Sequence, residues 1–138
     1  MKKILLITSM FLISAVSLWA QDDDEDGGNE KIRDKMNEYI QQRLSLSDAE
    51  AKKFTPVFLE YFKEWRKALQ DNKGPEKRLD REKKVIDLRL RYRGQFQEIL
   101  GEKRGNQVFN QQDRFIQELR LLRQNRPGNN PRPLRRGG

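Results

Sequence analysis

Histidine and cysteine, which carry much of protein chemistry, do not occur in this chain. Their absence removes imidazole bases and ligands, thiol nucleophiles, zinc fingers and disulfides together. Carboxylates remain. Pairs such as Glu60 and Glu64 stand at helical spacing, but each lies among lysines. They read most simply as surface ion pairs worth a few tenths of a kcal/mol, roughly 0.2–0.5. The acidic run Asp22-Asp23-Asp24-Glu25-Asp26 lacks the alternating ligands and closing glutamate of a calcium loop. There is no Gly-rich phosphate loop, no Gly-x-Ser-x-Gly elbow and no His-Glu-x-x-His. The expectation is a protein that is not an enzyme and holds no metal or cofactor.

The candidate chemistry is therefore that of a binding surface. Phe54, Phe58, Tyr61, Phe62 and Trp65 recur at helical spacing, and Arg81, Lys84, Arg89 and Arg93 follow on the next predicted helix. One reading makes the aromatic residues plain core. The other sets Phe58, Phe62 and Trp65 in a groove beside Arg81, Lys84, Arg89 and Arg93, an apolar patch rimmed by like charge. Such a patch suits acidic or unfolded polypeptides.

The elements that position these residues begin at Leu46-Ser47-Asp48-Ala49-Glu50. Ser47 and Glu50 have the spacing of a capping box, and Leu46 that of a hydrophobic staple. A weaker copy begins at Leu100-Gly101-Glu102-Lys103-Arg104. A shift of 54 residues lays Leu46 on Leu100, Phe54 on Val108, Tyr61 on Phe115 and Trp65 on Leu119. Gly101 offers no hydroxyl, so substituting it is expected to be harmless. Gly101 and Gly105 also leave that second start loosely specified.

Periodicity predicts four helices and no strand: residues 30–44, 48–71, 75–100 and 102–124. Pro56 is expected to bend the second helix and Gly94 to weaken the third. Asn72-Lys73-Gly74-Pro75 is the clearest break. So little apolar surface predicts a homodimer built largely on the long third helix.

The ends differ in composition. Lys2 and Lys3 precede an apolar run to Val16, and Ser17-Leu18-Trp19-Ala20 ends in a small residue. Residues 1–20 read as a signal peptide cut between Ala20 and Gln21, with a cut after Ser17 or an uncleaved anchor as alternatives. Residues 21–29 are expected to be a flexible acidic leader, residues 30–124 the helical domain, and residues 125–138 a disordered basic tail. The formal charge is +8 and the mean hydropathy −1.00. An exported basic chain rarely meets nucleic acid, so anionic lipid, acidic polymers or acidic proteins are the expected partners.

Exported, all-helical and free of cysteine, with paired Leu-Ser/Thr-x-x-Gln/Glu helix starts, the chain resembles the Spy/CpxP (LTXXQ-motif) family over about residues 30–124. Leu46-Ser47-Asp48-Ala49-Glu50 stands at the first motif with Glu for Gln, and Leu100 and Gly101 open a divergent second one. The run Lys53-Phe54-Thr55-Pro56-Val57-Phe58-Leu59-Glu60-Tyr61 is similar to the branch labelled as a sensor of an extracytoplasmic-function sigma factor. The resemblance implies an all-α, cradle-like antiparallel dimer of extended, coiled-coil-like helical hairpins in the periplasm. It implies an ATP-independent chaperone of unfolded polypeptides in envelope stress, or a signalling accessory that binds one membrane sensor. A lipid- or polymer-binding envelope protein is the further alternative. Some relatives sense metals through histidine, which this chain lacks.

Overall fold

The computed structural model describes residues 25–127. The signal-peptide reading, residues 21–24 of the acidic leader and residues 128–138 of the basic tail lie outside them. The chain divides into two compact units, Met1–Ile32 and Arg33–Gly138. The packing described below is that of the second.

Four helices account for the described residues, with no strand among them: α1 (Glu25–Arg43), α2 (Asp48–Asp71), α3 (Arg78–Leu100) and α4 (Glu102–Gln124). α1 starts at Glu25, earlier than expected, and runs through Gly27 and Gly28. Each glycine costs about 1 kcal/mol in a helix, but extending an existing helix adds a hydrogen bond per residue without a new nucleation step. α2 runs unbroken through Pro56. The third helix opens later than expected. Pro75–Lys77 form a single 3-10 turn, closed by Lys77 N–H donating to the Gly74 carbonyl at 3.3 Å. Arg81 donates to the carbonyl of Asn72 at 2.7 Å and so satisfies the end of α2.

α3 is the centre of the arrangement. Phe54 meets Phe96 and Tyr61 meets Tyr92, so α2 and α3 run antiparallel. Gln97 bonds Asn106 and Arg89 bonds Asp113, so α3 and α4 do too. α2 and α4 are then parallel, bridged by Tyr61 against Phe109 and Gln112. The core is largely aromatic: Phe54, Phe58, Tyr61, Phe62, Tyr92 and Phe96 are buried, with Leu88, Leu100 and Val108 around them. Ring pairs at 5.3–6.3 Å link them, each worth about 0.5–1.5 kcal/mol beyond its burial.

Two glycines correct the expectation of a loose start to α4. Gly101 alone joins α3 to α4, at φ +85°. A side chain there strains the backbone by about 1–2 kcal/mol. Gly105 is buried, and a Cβ on it would lie 2.7 Å from the backbone N and Cα of Gln97. The hairpin closes tightly because there is no side chain at Gly105.

α1 sits differently. α2 and α4 both approach α3 to within 8 Å between Cα atoms, but no Cα of residues 33–43 of α1 comes that close to another helix. Its contacts are side chains. Asn37 and Gln41 donate to Thr55 Oγ1 of α2 at 3.3 and 2.9 Å. Tyr39 donates to Glu118 of α4 at 2.9 Å and packs edge-on against Phe115. Met36, Ile40 and Leu44 are buried between these flanks. Ser45, in the connection to α2, has φ +51°, a left-handed conformation that costs a non-glycine residue roughly 1 kcal/mol.

Candidate functional site

The first helix start is built as its sequence indicates. Ser47 is extended, its hydroxyl accepts from Glu50 N–H at 3.2 Å, and Glu50 accepts from Ser47 N–H at 3.1 Å. Glu50 has a further partner. Arg104, at the head of α4, donates to both carboxylate oxygens and also reaches the carbonyls of Leu100 and Leu44. The Arg104 guanidinium, helped by the Ser47 amide, holds the Glu50 carboxyl below the usual glutamate range. The two helix starts are thus joined, and Leu46 is half-buried beside them while Leu100 is fully buried.

The proposed surface of Phe58, Phe62 and Trp65 is not a surface. Phe58 is 0% and Phe62 4% exposed. Only Trp65 is half-buried, its ring 5.5 Å from Phe62. Helical spacing could not separate these cases, because a core face and a binding face share one period. Truncating Phe58 would remove about 3–5 kcal/mol of stability rather than a contact to a partner.

The basic set is also dispersed. Arg81 caps α2. Arg89 is committed inside the bundle, donating to Asp113 at 2.6 Å, to Gln112 Oε1 at 3.0 Å and to Tyr61 Oη at 3.3 Å. Burial works against its charge, yet Asp113 and Tyr61 outweigh that and leave its pKa raised. Tyr61 itself donates to Gln112 at 2.6 Å, and burial pushes its phenol up. Lys84 and Arg93 alone of the four are exposed.

Between α2 and α3 lies a groove of about 800 Å³ with Ala68 and Leu88 in its lining. Its walls carry Lys63, Lys67, Lys84 and Arg91, but also Glu60, Glu64, Asp71 and Asp87. This corrects the expectation of a basic groove: four acids balance four bases. Glu64 of this groove accepts from Tyr92 Oη at 2.6 Å and from Arg91. The Tyr92 hydroxyl first, and Arg91 with it, hold its carboxyl below the usual range. Among the described residues no three acids gather closely enough to hold a metal ion, and no helix is long and apolar enough to cross a membrane.

The exposed apolar surface lies elsewhere. Leu79, Ile86 and Leu90 of α3 are 53–71% exposed, as are Leu121 and Leu122 of α4. Lys83 and Arg93 interleave with the first group, and Arg120 and Arg123 flank the second. The signal was present in the sequence. The apolar set of α3 is too broad for one stripe, since Leu79, Ile86 and Leu90 fall away from the face of Leu88, Tyr92 and Phe96.

Among the described residues the protein is all-helical, with an aromatic interior and exposed aliphatic side chains on α3 and on α4 set among basic ones. No protein-family model, curated protein or solved structure matches the chain.

Proposed function

We propose that this chain binds other polypeptides without catalysis, in the manner of the Spy/CpxP proteins its helix starts resemble. One observation carries the reading: Leu121 and Leu122 stand more than half exposed on α4, flanked by Arg120 and Arg123. Exposed aliphatic carbon takes up the apolar segments of an unfolded chain, and the surrounding Lys and Arg attract its acids. The contact residues proposed are Leu121 and Leu122 with Arg120 and Arg123, joined by Arg93 and Lys84, rather than Phe58 and Phe62.

Leu79, Ile86 and Leu90 recur at intervals of seven and four, the spacing of a seam between two long helices, with Lys83 interrupting it. A second copy of the chain is proposed to lie along that seam. Light scattering of a homogeneous sample at micromolar concentration should give twice the chain mass. A monomer would remove the dimer from the proposal.

The periplasm, reached through a signal peptide on residues 1–20, is the proposed compartment. Aggregation assays test the function. The protein should suppress, without nucleotide, the aggregation of several unrelated denatured proteins. Failure with all of them, together with capture of one membrane protein, would replace the chaperone by a signalling accessory. Loss of binding to anionic vesicles when residues 125–138 are deleted would favour a lipid-binding protein.

A further inference from the structure

We infer that the surface of α2 and α4 beneath α1 is a docking site for an amphipathic helical segment, and that α1 from Arg33 onward is its resident, displaceable occupant. The inference deepens the polypeptide-binding reading, on which the identity of the external ligand rests.

Four observations carry it. Residues 33–43 reach α2 and α4 through side chains only, with no Cα within 8 Å of another helix. The ring core of Phe54, Phe58, Tyr61, Tyr92, Phe96 and Phe109 is linked among α2, α3 and α4 without any ring from α1. Gln111 Oε1 is buried with no hydrogen-bond partner, and its helical spacing from Phe115 and Glu118 puts it on the face of α4 that α1 covers. The chain leaves α1 through Ser45, a non-glycine residue at φ +51°. A strained joint at the end of a helix that is held by its side chains alone is where an opening motion is easiest.

α1 also describes the ligand. Its seam is apolar at i, i+4 and i+8, in Met36, Ile40 and Leu44. One flank supplies amides to Thr55 Oγ1, through Asn37 and Gln41. The other supplies a hydroxyl and a cation to Glu118, through Tyr39 and through Arg43 at 3.6 Å. The matching external segment has three apolar residues at that spacing and a basic residue three positions after the middle one, so that its charge meets Glu118. The exposed Leu121 and Leu122 of α4 would capture an unfolded chain, and this site would then take a segment able to form a helix. Because α1 occupies the site in most molecules, its apparent affinity is the intrinsic affinity multiplied by the fraction of molecules that are open.

The test uses a fluorescent synthetic peptide of residues 33–45 titrated onto the full chain, with anisotropy as readout. Ile40→Asp puts a charge into the α1 seam and should release the resident helix. The peptide should bind the Ile40→Asp protein roughly ten-fold more tightly than wild type, and a peptide carrying the same change should not bind. Equal affinity for both proteins, or binding by neither, overturns the inference. Should Ile40→Asp disturb the whole fold, hydrogen exchange on wild type decides. Amides of residues 36–43 should exchange at least about ten-fold faster than those of residues 88–97, and equal protection overturns the inference. A reduced, carboxymethylated denatured protein added as competitor separates the two readings. If the peptide binds and the competitor does not displace it, the docking site stands and the unfolded-chain function falls.

Discussion

Arg104 of α4 holds Glu50 of α2 across 54 positions of sequence. That separation equals the shift that superposes the two helix starts, so equivalent positions of a weak internal repeat contact each other. Glu50 closes the cap of its own helix and fixes the head of the parallel helix as well. Arg104, a departure from the glutamine of the resembled motif, is what makes the second contact ionic.

A double-mutant cycle should expose this pairing. Glu50→Ala and Arg104→Ala should each destabilise, and the double variant should lose clearly less than the two losses added. Denaturant unfolding measures it, and strict additivity would show that the two groups do not interact in solution.

Stability should fall with acid in a defined window. The pKa values of Glu50 and Glu64 are lowered on folding. Their contribution is therefore complete above the unfolded glutamate pKa, about 4.3, and is lost as pH falls through the lower folded values. Glu50→Gln should flatten the curve of melting temperature against pH below about 4. At the other end, burial and the Glu64 carboxylate push the Tyr92 phenol up to about 12. Stability should hold to about pH 10 and decline above it, less steeply in Tyr92→Phe. Unchanged profiles in both variants would contradict the assigned partners.

Two glycines should respond oppositely to alanine. Gly94 lies within α3 with nothing within 4 Å of an added Cβ, so Gly94→Ala should stabilise by roughly 0.5–1 kcal/mol. Gly105→Ala drives a methyl against the Gln97 backbone at 2.7 Å and should destabilise by about 1–3 kcal/mol. Thermal melts in which both variants shift the same way would refute the close α3–α4 approach.

The caps give a second pair. Ser47→Ala should cost about 1 kcal/mol through its orphaned amide. Gly101→Ala should cost a similar amount for a different reason, since alanine at φ +85° is strained by about 1–2 kcal/mol. If Gly101→Ala melts like wild type, the backbone of that turn is not as described.

Local signals were readable from the sequence where one residue type has one use. Ser47 with Glu50 announced the start of α2, and Gly74-Pro75 the break that follows Asp71. The starts of α1 and α3 were misplaced because helix extension through Gly27 and the 3-10 preference after Gly74 depend on small backbone energies. The surface was read least well. Phe58 and Phe62 looked available because periodicity marks a face without saying whether another helix covers it. Arg81 and Arg89 looked free because their partners, the Asn72 carbonyl and Asp113, are set by tertiary approach. Arg104 looked like motif decay until Glu50 stood opposite it.

Leu121 and Leu122 of α4, with the basic side chains beside them, are proposed to bind unfolded polypeptide. The most direct measurement is an anisotropy titration of a labelled, permanently unfolded polypeptide with wild-type protein and with Leu121→Ser/Leu122→Ser. These side chains are 57% and 67% exposed, so their replacement should leave the fold unchanged. Wild type should bind the unfolded polypeptide saturably, the double variant at least about ten-fold more weakly, and neither should bind a folded protein of similar size and charge. Equal binding by wild type and variant, or none by either, would contradict that proposal.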